Sequence, residues 1–144
     1  MTCILVGLDG SAASERALAH AKRLAKLIGD CELSLAFIID WTPYSFHTQE
    51  ELAERHKRRE AELEQARSHV LDPAAKALEA DGFKVTTHVQ HGDPVELIEK
   101  IAKSTKAEQI IIGRTGDRGL KERLFGSVSG KLVASATVPV TIIP

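Results

Sequence analysis

Short apolar runs and helix-spaced apolar stripes alternate along the whole chain. Residues 3–8, Cys-Ile-Leu-Val-Gly-Leu, form a nearly unbroken apolar run rich in branched side chains, which predicts a strand covered on both faces. The run breaks at Asp9-Gly10-Ser11, and Ala17, Leu18, Ala21, Leu24, Ala25 and Ile28 then recur at helical spacing. Ser11 suits the cap of that helix and Gly29 its stop. Residues 33–39 predict a second strand, leaving through Asp40-Trp41-Thr42-Pro43. A long polar helical segment follows from about residue 49 to about residue 80, with Leu52, Leu63, Ala66 and Val70 as a thin apolar stripe. Pro73 lacks an amide and crowds the preceding turn, so it is expected to kink or divide that segment.

Residues 85–89 alternate apolar with polar and predict a third strand near a sheet edge. At Gly92-Asp93-Pro94 a helix starts: Asp93 caps, Pro94 takes the first helical position, and Glu96 stands where it closes a capping box. Val95, Ile98, Ile101 and Ala102 give its apolar stripe. Residues 109–112 predict a fourth strand ending at Gly113. A glycine-rich loop then reaches Gly126, a short helix begins near Ser127, and residues 138–143 predict a fifth strand. Strand and helix alternating with connections of this length mean an α/β fold, a parallel sheet with helices on both faces. No linker, repeat or low-complexity stretch interrupts it, so residues 1–144 are expected to form one domain.

Composition narrows the function. With 144 residues, 43% hydrophobic and 27% charged, the chain can bury a core without staples. Its 19 Lys+Arg against 20 Asp+Glu give a net charge of -1, without the basic excess of a nucleic-acid binder. The basic run at residues 54–60 is flanked by acids at helical spacing and reads as a solvated face. No apolar stretch is long enough to insert in a membrane. The N-terminal segment lacks the basic region of a signal peptide, so a cytoplasmic location is expected. Cys3 and Cys31 read as buried, reduced thiols. His88 and His91, three apart on one strand, point to opposite faces and do not chelate together.

In an open parallel sheet, ligands sit beyond the carboxyl ends of the strands where strand order reverses. Two such ends carry unusual residues: Asp9-Gly10-Ser11 after the first strand, and Gly113 to Gly119 after the fourth, feeding Gly126-Ser127-Val128-Ser129. Glycine lets main chain approach an oxyanion, and the first amides of a helix point outward at the positive end of its dipole. Ser127 and Ser129 add hydroxyls, and Arg114, Arg118, Lys121 and Arg123 add positive charge. Asp9 would face them, suited to a ribose hydroxyl or a magnesium ion shared with phosphates. The Gly126 to Leu132 stretch is one residue short of a P-loop and ends in Leu, and no G-x-G-x-x-G follows the first strand. Neither a Walker NTPase nor a Rossmann dehydrogenase fits. The pattern present is G-x2-G-x9-G-S, through Gly113, Gly116, Gly126 and Ser127.

These residues resemble the universal stress protein (UspA-type) family over essentially the whole chain. The likeness runs through Ile4 to Ser11, Gly92 to Pro94, Ile110 to Gly116, Leu124 to Ser129 and Val138 to Ile143, and the glycine pattern is that of the ATP-binding branch. The resemblance implies a three-layer sandwich of the adenine nucleotide alpha hydrolase-like kind, with a five-stranded parallel sheet in the order 3-2-1-4-5. It implies ATP as ligand, with magnesium: Asp9 at the ribose or the phosphate-bound metal, and the main chain of Gly7 and Leu8 beside adenine. The main chain at Ile38 and Ile39 would read the adenine edge. Gly113, Arg114 and Gly116 would border ribose and phosphates, and Gly126, Ser127, Val128 and Ser129 would hold the phosphates. It also implies a homodimer through the last strand, Val138 to Ile143, and a regulatory role toward a protein partner. A slow ATPase or self-phosphorylating enzyme and a nucleotide-independent adaptor stand as alternatives. The loop Trp41 to Phe46 holds three of the six aromatic residues, which shield adenine or pack under the long helix or at a dimer contact.

Overall fold

The computed structural model describes residues 1–40, 48–114 and 127–144, with only the backbone of Ser127. Along the chain come β1 (Thr2–Leu8), α1 (Ala12–Ile28), β2 (Cys31–Asp40), α2 (Gln49–Ala66), a π-helical turn (Arg67–Leu71), α3 (Asp72–Ala80), β3 (Lys84–Gly92), α4 (Pro94–Thr105), β4 (Gln109–Gly113), α5 (Ser127–Ser135) and β5 (Val140–Ile143). The strands form one sheet in the order β3-β2-β1-β4-β5, and every pair is parallel. This is the order the resemblance implies. β3 and β5 are the edges. β3 is four residues longer than the pattern suggested and β5 two shorter, because pairing with a neighbour, rather than apolar content, sets how far a strand runs.

Strand alternation divides the core in two. Ile4, Val6 and Leu8 of β1 pack toward α1 and α3, with Leu33, Leu35, Leu71, Leu78 and Ile111. Cys3 and Leu5 pack the other way, with Ile98, Ile101 and Ala102 of α4 and Leu132 of α5. Both thiols are free and buried. Burial pushes the Cys31 thiol up, so it stays protonated and inert. α1 buries Ala13, Ala17, Ala21 and Ala25. A stripe of alanines lets its axis lie close on the sheet. Ile28, expected on that stripe, is 43% exposed, since the helix is already turning away before Gly29. The caps fall where the sequence puts them: Ser11 Oγ accepts the Ser14 amide, and the Gly29 amide, at φ 88, donates to the Ala25 carbonyl. Lys22 hydrogen-bonds Asp81 beyond α3 and holds that carboxyl below its usual value.

The long helical segment does not break at Pro73. It widens instead, through the π-helical turn, in which the Asp72 amide donates to the Arg67 carbonyl five residues back. Widening the helix just ahead of the proline moves the carbonyls away from its ring. At the other end, Thr48 and Glu51 form a complete capping box, which the sequence reading did not assign. At Asp93 only the forward half forms, the carboxylate accepting the Glu96 amide at 2.9 Å.

His88 pairs with Ala36 and so shares the α4 face of β3, while His91 faces α2, as the odd spacing requires. His88 Nε2 is buried with no hydrogen-bond partner among the described residues, and burial lowers its pKa from 6.5. Below 6.5 the unfolded chain therefore binds a proton at this position more readily than the native one, and stability falls as pH drops. The urea midpoint of the wild-type protein is expected to decline from about pH 7 to about pH 5 more steeply than that of His88→Gln. Equal slopes for the two proteins would show that His88 contributes nothing.

Candidate functional site

At the carboxyl end of β1 the chain must reverse into α1 within three residues. Asp9 makes this possible: its Oδ1 accepts the Ser11 amide at 2.9 Å, closing a turn that Gly10 completes at φ 82. Ser14 then ties itself to Ser11 twice, amide to Oγ at 3.1 Å and hydroxyl to carbonyl at 2.9 Å. The turn is thus fixed by its own side chains. Asp9 is half-buried, and its other carboxylate oxygen has no hydrogen bond or ion pair among the described residues.

β1 lies between β2 and β4, and the connections leave it in opposite directions, so the crevice opens beyond β1 and β4. β4 ends at Gly113 for a steric reason. A Cβ there would stand 2.8 Å from Ala13 Cβ and 2.9 Å from the Ala13 carbonyl carbon, so the first turn of α1 closes directly on the strand. The next residue, Arg114, donates its amide to the Ile143 carbonyl at 2.7 Å and accepts the Ser129 hydroxyl on its own carbonyl at 3.2 Å. These two bonds tie the end of β4 both to β5 and to the head of α5. The amides of the first turn of α5, around Val128 and Ser129, have no acceptor within their helix and carry the positive end of its dipole.

Asp9, Gly113, Arg114, Val128 and Ser129 therefore stand at one corner of the sheet. Ser129 is buried and Arg114 exposed. Gly7 lies one rung back in β1, where a Cβ would meet Ile112 Cγ2 at 2.9 Å. Leu8 points its side chain into the core, so what it offers a ligand is main chain. Ile38 and Ile39 occupy late rungs of β2 opposite Gln90 and His91, with the Ile38 side chain against the α4-side core. Gly116, Gly126, Arg118, Lys121, Arg123 and the loop Trp41 to Phe46 lie outside the described residues, as does the side chain of Ser127.

One polar contact here had no sequence signal. His91, whose side chain is 3% exposed, meets Glu62 of α2, Nε2 to Oε2, at 3.0 Å. The two are 29 residues apart, and no local spacing announces the pair. Among the described residues no three His, Cys, Asp or Glu gather to hold a metal. Asp9 is a single half-buried carboxylate with an oxygen to spare, which suits a magnesium ion that takes most of its ligands from phosphates and water. No helix among the described residues is long and apolar enough to cross a membrane.

The family model for the universal stress protein family matches residues 1–144. Universal stress protein MJ0531 of Methanocaldococcus jannaschii is 30% identical over 147 residues, spanning 97% of this chain and 80% of the relative. The solved structure of MJ0577 from the same organism is also 30% identical. It superposes with a TM-score of 0.81 over 99% of this chain and 94% of the other. A universal stress protein from Archaeoglobus fulgidus, solved in complex with dAMP, shares the fold with a TM-score of 0.59, at 21% identity over 100% of this chain and 98% of its own. The fold is the adenine nucleotide alpha hydrolase-like sandwich, and this chain belongs to the universal stress protein family.

The packing of Gly113 makes one substitution informative. Gly113→Ala forces the β4 end away from α1 and is expected to cost about 1–3 kcal/mol in urea unfolding, as overpacking does. An unchanged midpoint would mean that Ala13 yields freely.

Proposed function

We propose that this universal stress protein is a cytoplasmic ATP-binding regulator of one domain, residues 1–144, acting as a homodimer. The observation that carries the reading is the corner just described. A half-buried carboxylate follows the end of β1, and the neighbouring strand β4 ends at a glycine beside which the head of α5 is tethered through Ser129. That pairing suits a ligand with a hydroxyl-bearing sugar at one end and anionic phosphates at the other. The ligand of the Archaeoglobus fulgidus protein, dAMP, is an adenine nucleotide, which supports the same ligand class here. In this reading Asp9 takes the ribose or the magnesium, and Ile38 and Ile39 offer main chain to adenine. Gly113, Arg114, Gly116, Gly126, Ser127, Val128 and Ser129 surround the phosphates. Regulation by occupancy is preferred here to turnover, with a slow ATPase or self-phosphorylating enzyme as the alternative.

β5 supports the dimer. It is an edge strand whose residues, Val140 to Ile143, are all half-buried, and Val133 of α5 stands 62% exposed. An apolar edge of this kind invites a second copy.

Asp9→Asn separates ligand from scaffold, because an amide oxygen still accepts the Ser11 amide while the charge is lost. In calorimetric titration with magnesium ATP the wild-type protein is expected to saturate, and Asp9→Asn to bind about tenfold more weakly with an unchanged urea midpoint. Wild-type protein that takes up no ATP at millimolar concentration overturns the reading. Sedimentation is expected to give twice the 15.7 kDa chain mass, and a monomer would overturn the dimer.

A further inference from the structure

α2 buries few of its side chains against the body. Of Gln49–Ala66 only Ala66 is buried, and Leu52, on the stripe that continues to Ala66, is 51% exposed. Its two ends of attachment are nevertheless placed at the site. At its root the π-helical turn buries Leu71 completely and sets Val70 against the β1 turn, with Val70 Cγ2 3.8 Å from where a Cβ on Gly10 would stand. Further up, Glu62 meets His91 at 3.0 Å. His91 pairs with Ile39 across β2 and β3, so it stands beside the main chain that reads the base in the reading above.

The chemistry of this contact is one-sided. Glu62 Oε2 is an acceptor, so Nε2 carries the proton and donates it, while Nδ1 is buried with no partner among the described residues. A buried imidazole with one satisfied nitrogen depends heavily on the bond it does make, since losing it leaves a second polar atom stranded. Glu62 remains 44% exposed, free to leave for water when the helix lifts. The bond is therefore costly for the sheet to lose and easy for the helix to give up.

We propose that His91 and Glu62 form a latch that holds α2 down over the carboxyl ends of β2 and β3, coupling the position of α2 to nucleotide occupancy. His91 is a positioning residue: it touches Glu62 and acts on the site through α2 and the Ile39 rung. A ligand seated on the Asp9 turn bears on Gly10, beside which Val70 packs at the root of the arm, and one seated on the β2 end steadies His91 at the latch. Both favour the closed arm. Its release would present the charged face of α2 in a different orientation to a protein partner. The coupling rests on the nucleotide reading; the latch itself does not.

Hydrogen exchange on the full chain tests both. In Glu62→Ala and His91→Phe, amides within residues 52–63 are expected to exchange about tenfold faster than in wild type, with those of α4 unchanged. Alanine raises helix propensity, so faster exchange in Glu62→Ala reports the lost tether rather than a weaker helix. Glu62→Gln, whose amide oxygen still accepts from Nε2, restores protection, and the double variant adds nothing to either single one. Magnesium ATP slows the same amides in wild type and fails to do so in Glu62→Ala. Wild-type exchange rates in unliganded Glu62→Ala overturn the latch. Equal slowing by ATP in both proteins overturns the coupling. Absence of any ATP uptake by wild type overturns the nucleotide reading and the coupling with it, and the latch is then decided by the unliganded rates alone.

Discussion

The corner that forms the candidate site depends on a close approach between a strand end and a helix start. With no side chain at Gly113, the first turn of α1 lies against β4 at a separation that a Cβ would violate, 2.8 Å from Ala13 Cβ. Everything at the corner takes its position from that approach. α1 starts where the Asp9 turn delivers it, and the end of β4 is pinned beneath it. Arg114 then directs its amide to Ile143 and its carbonyl to Ser129, which brings β5 and the head of α5 to the same point. Strand order supplies the crevice, and this contact fixes how the end of β4 meets the start of α1.

The alanine stripe of α1 serves the same end. Ala13, Ala17, Ala21 and Ala25 present no bulk to the sheet, so the helix lies low along its whole length and its first turn can reach β4. On the opposite face larger residues fill the gap, Ile98 and Ile101 from α4 and Leu132 from α5. Gly7 permits that filling, since Ile112 occupies the space a Cβ would take.

α2 departs from this economy. It carries a capping box, a polar surface and almost no buried area, and it joins α3 without a break because the π-helical turn absorbs Pro73. A helix so weakly packed takes its stability from local terms, so its orientation is decided by a few contacts. Val70, Leu71 and the Glu62 bond to His91 are among them.

Much of this could be read from residue order. The apolar period marked all five strands, Ser11 and Gly29 bounded α1, Asp93 and Pro94 started α4, and the glycines beyond the fourth strand, with Asp9 beyond the first, pointed to the corner of the sheet. Such features act within a few residues of one another, through dihedral preference and capping, and therefore leave a local trace. Gly113 was legible as the glycine that ends the fourth strand, but its packing against Ala13 was not. Pro73 was legible as a disturbance, but not as a widened turn. His91 showed only which face it would take, and nothing near it in the chain named Glu62. Contacts of this second kind join residues 29 or 100 positions apart. They exist only once the crossovers have set helices on particular strands, because the distance between two layers depends on every side chain packed between them.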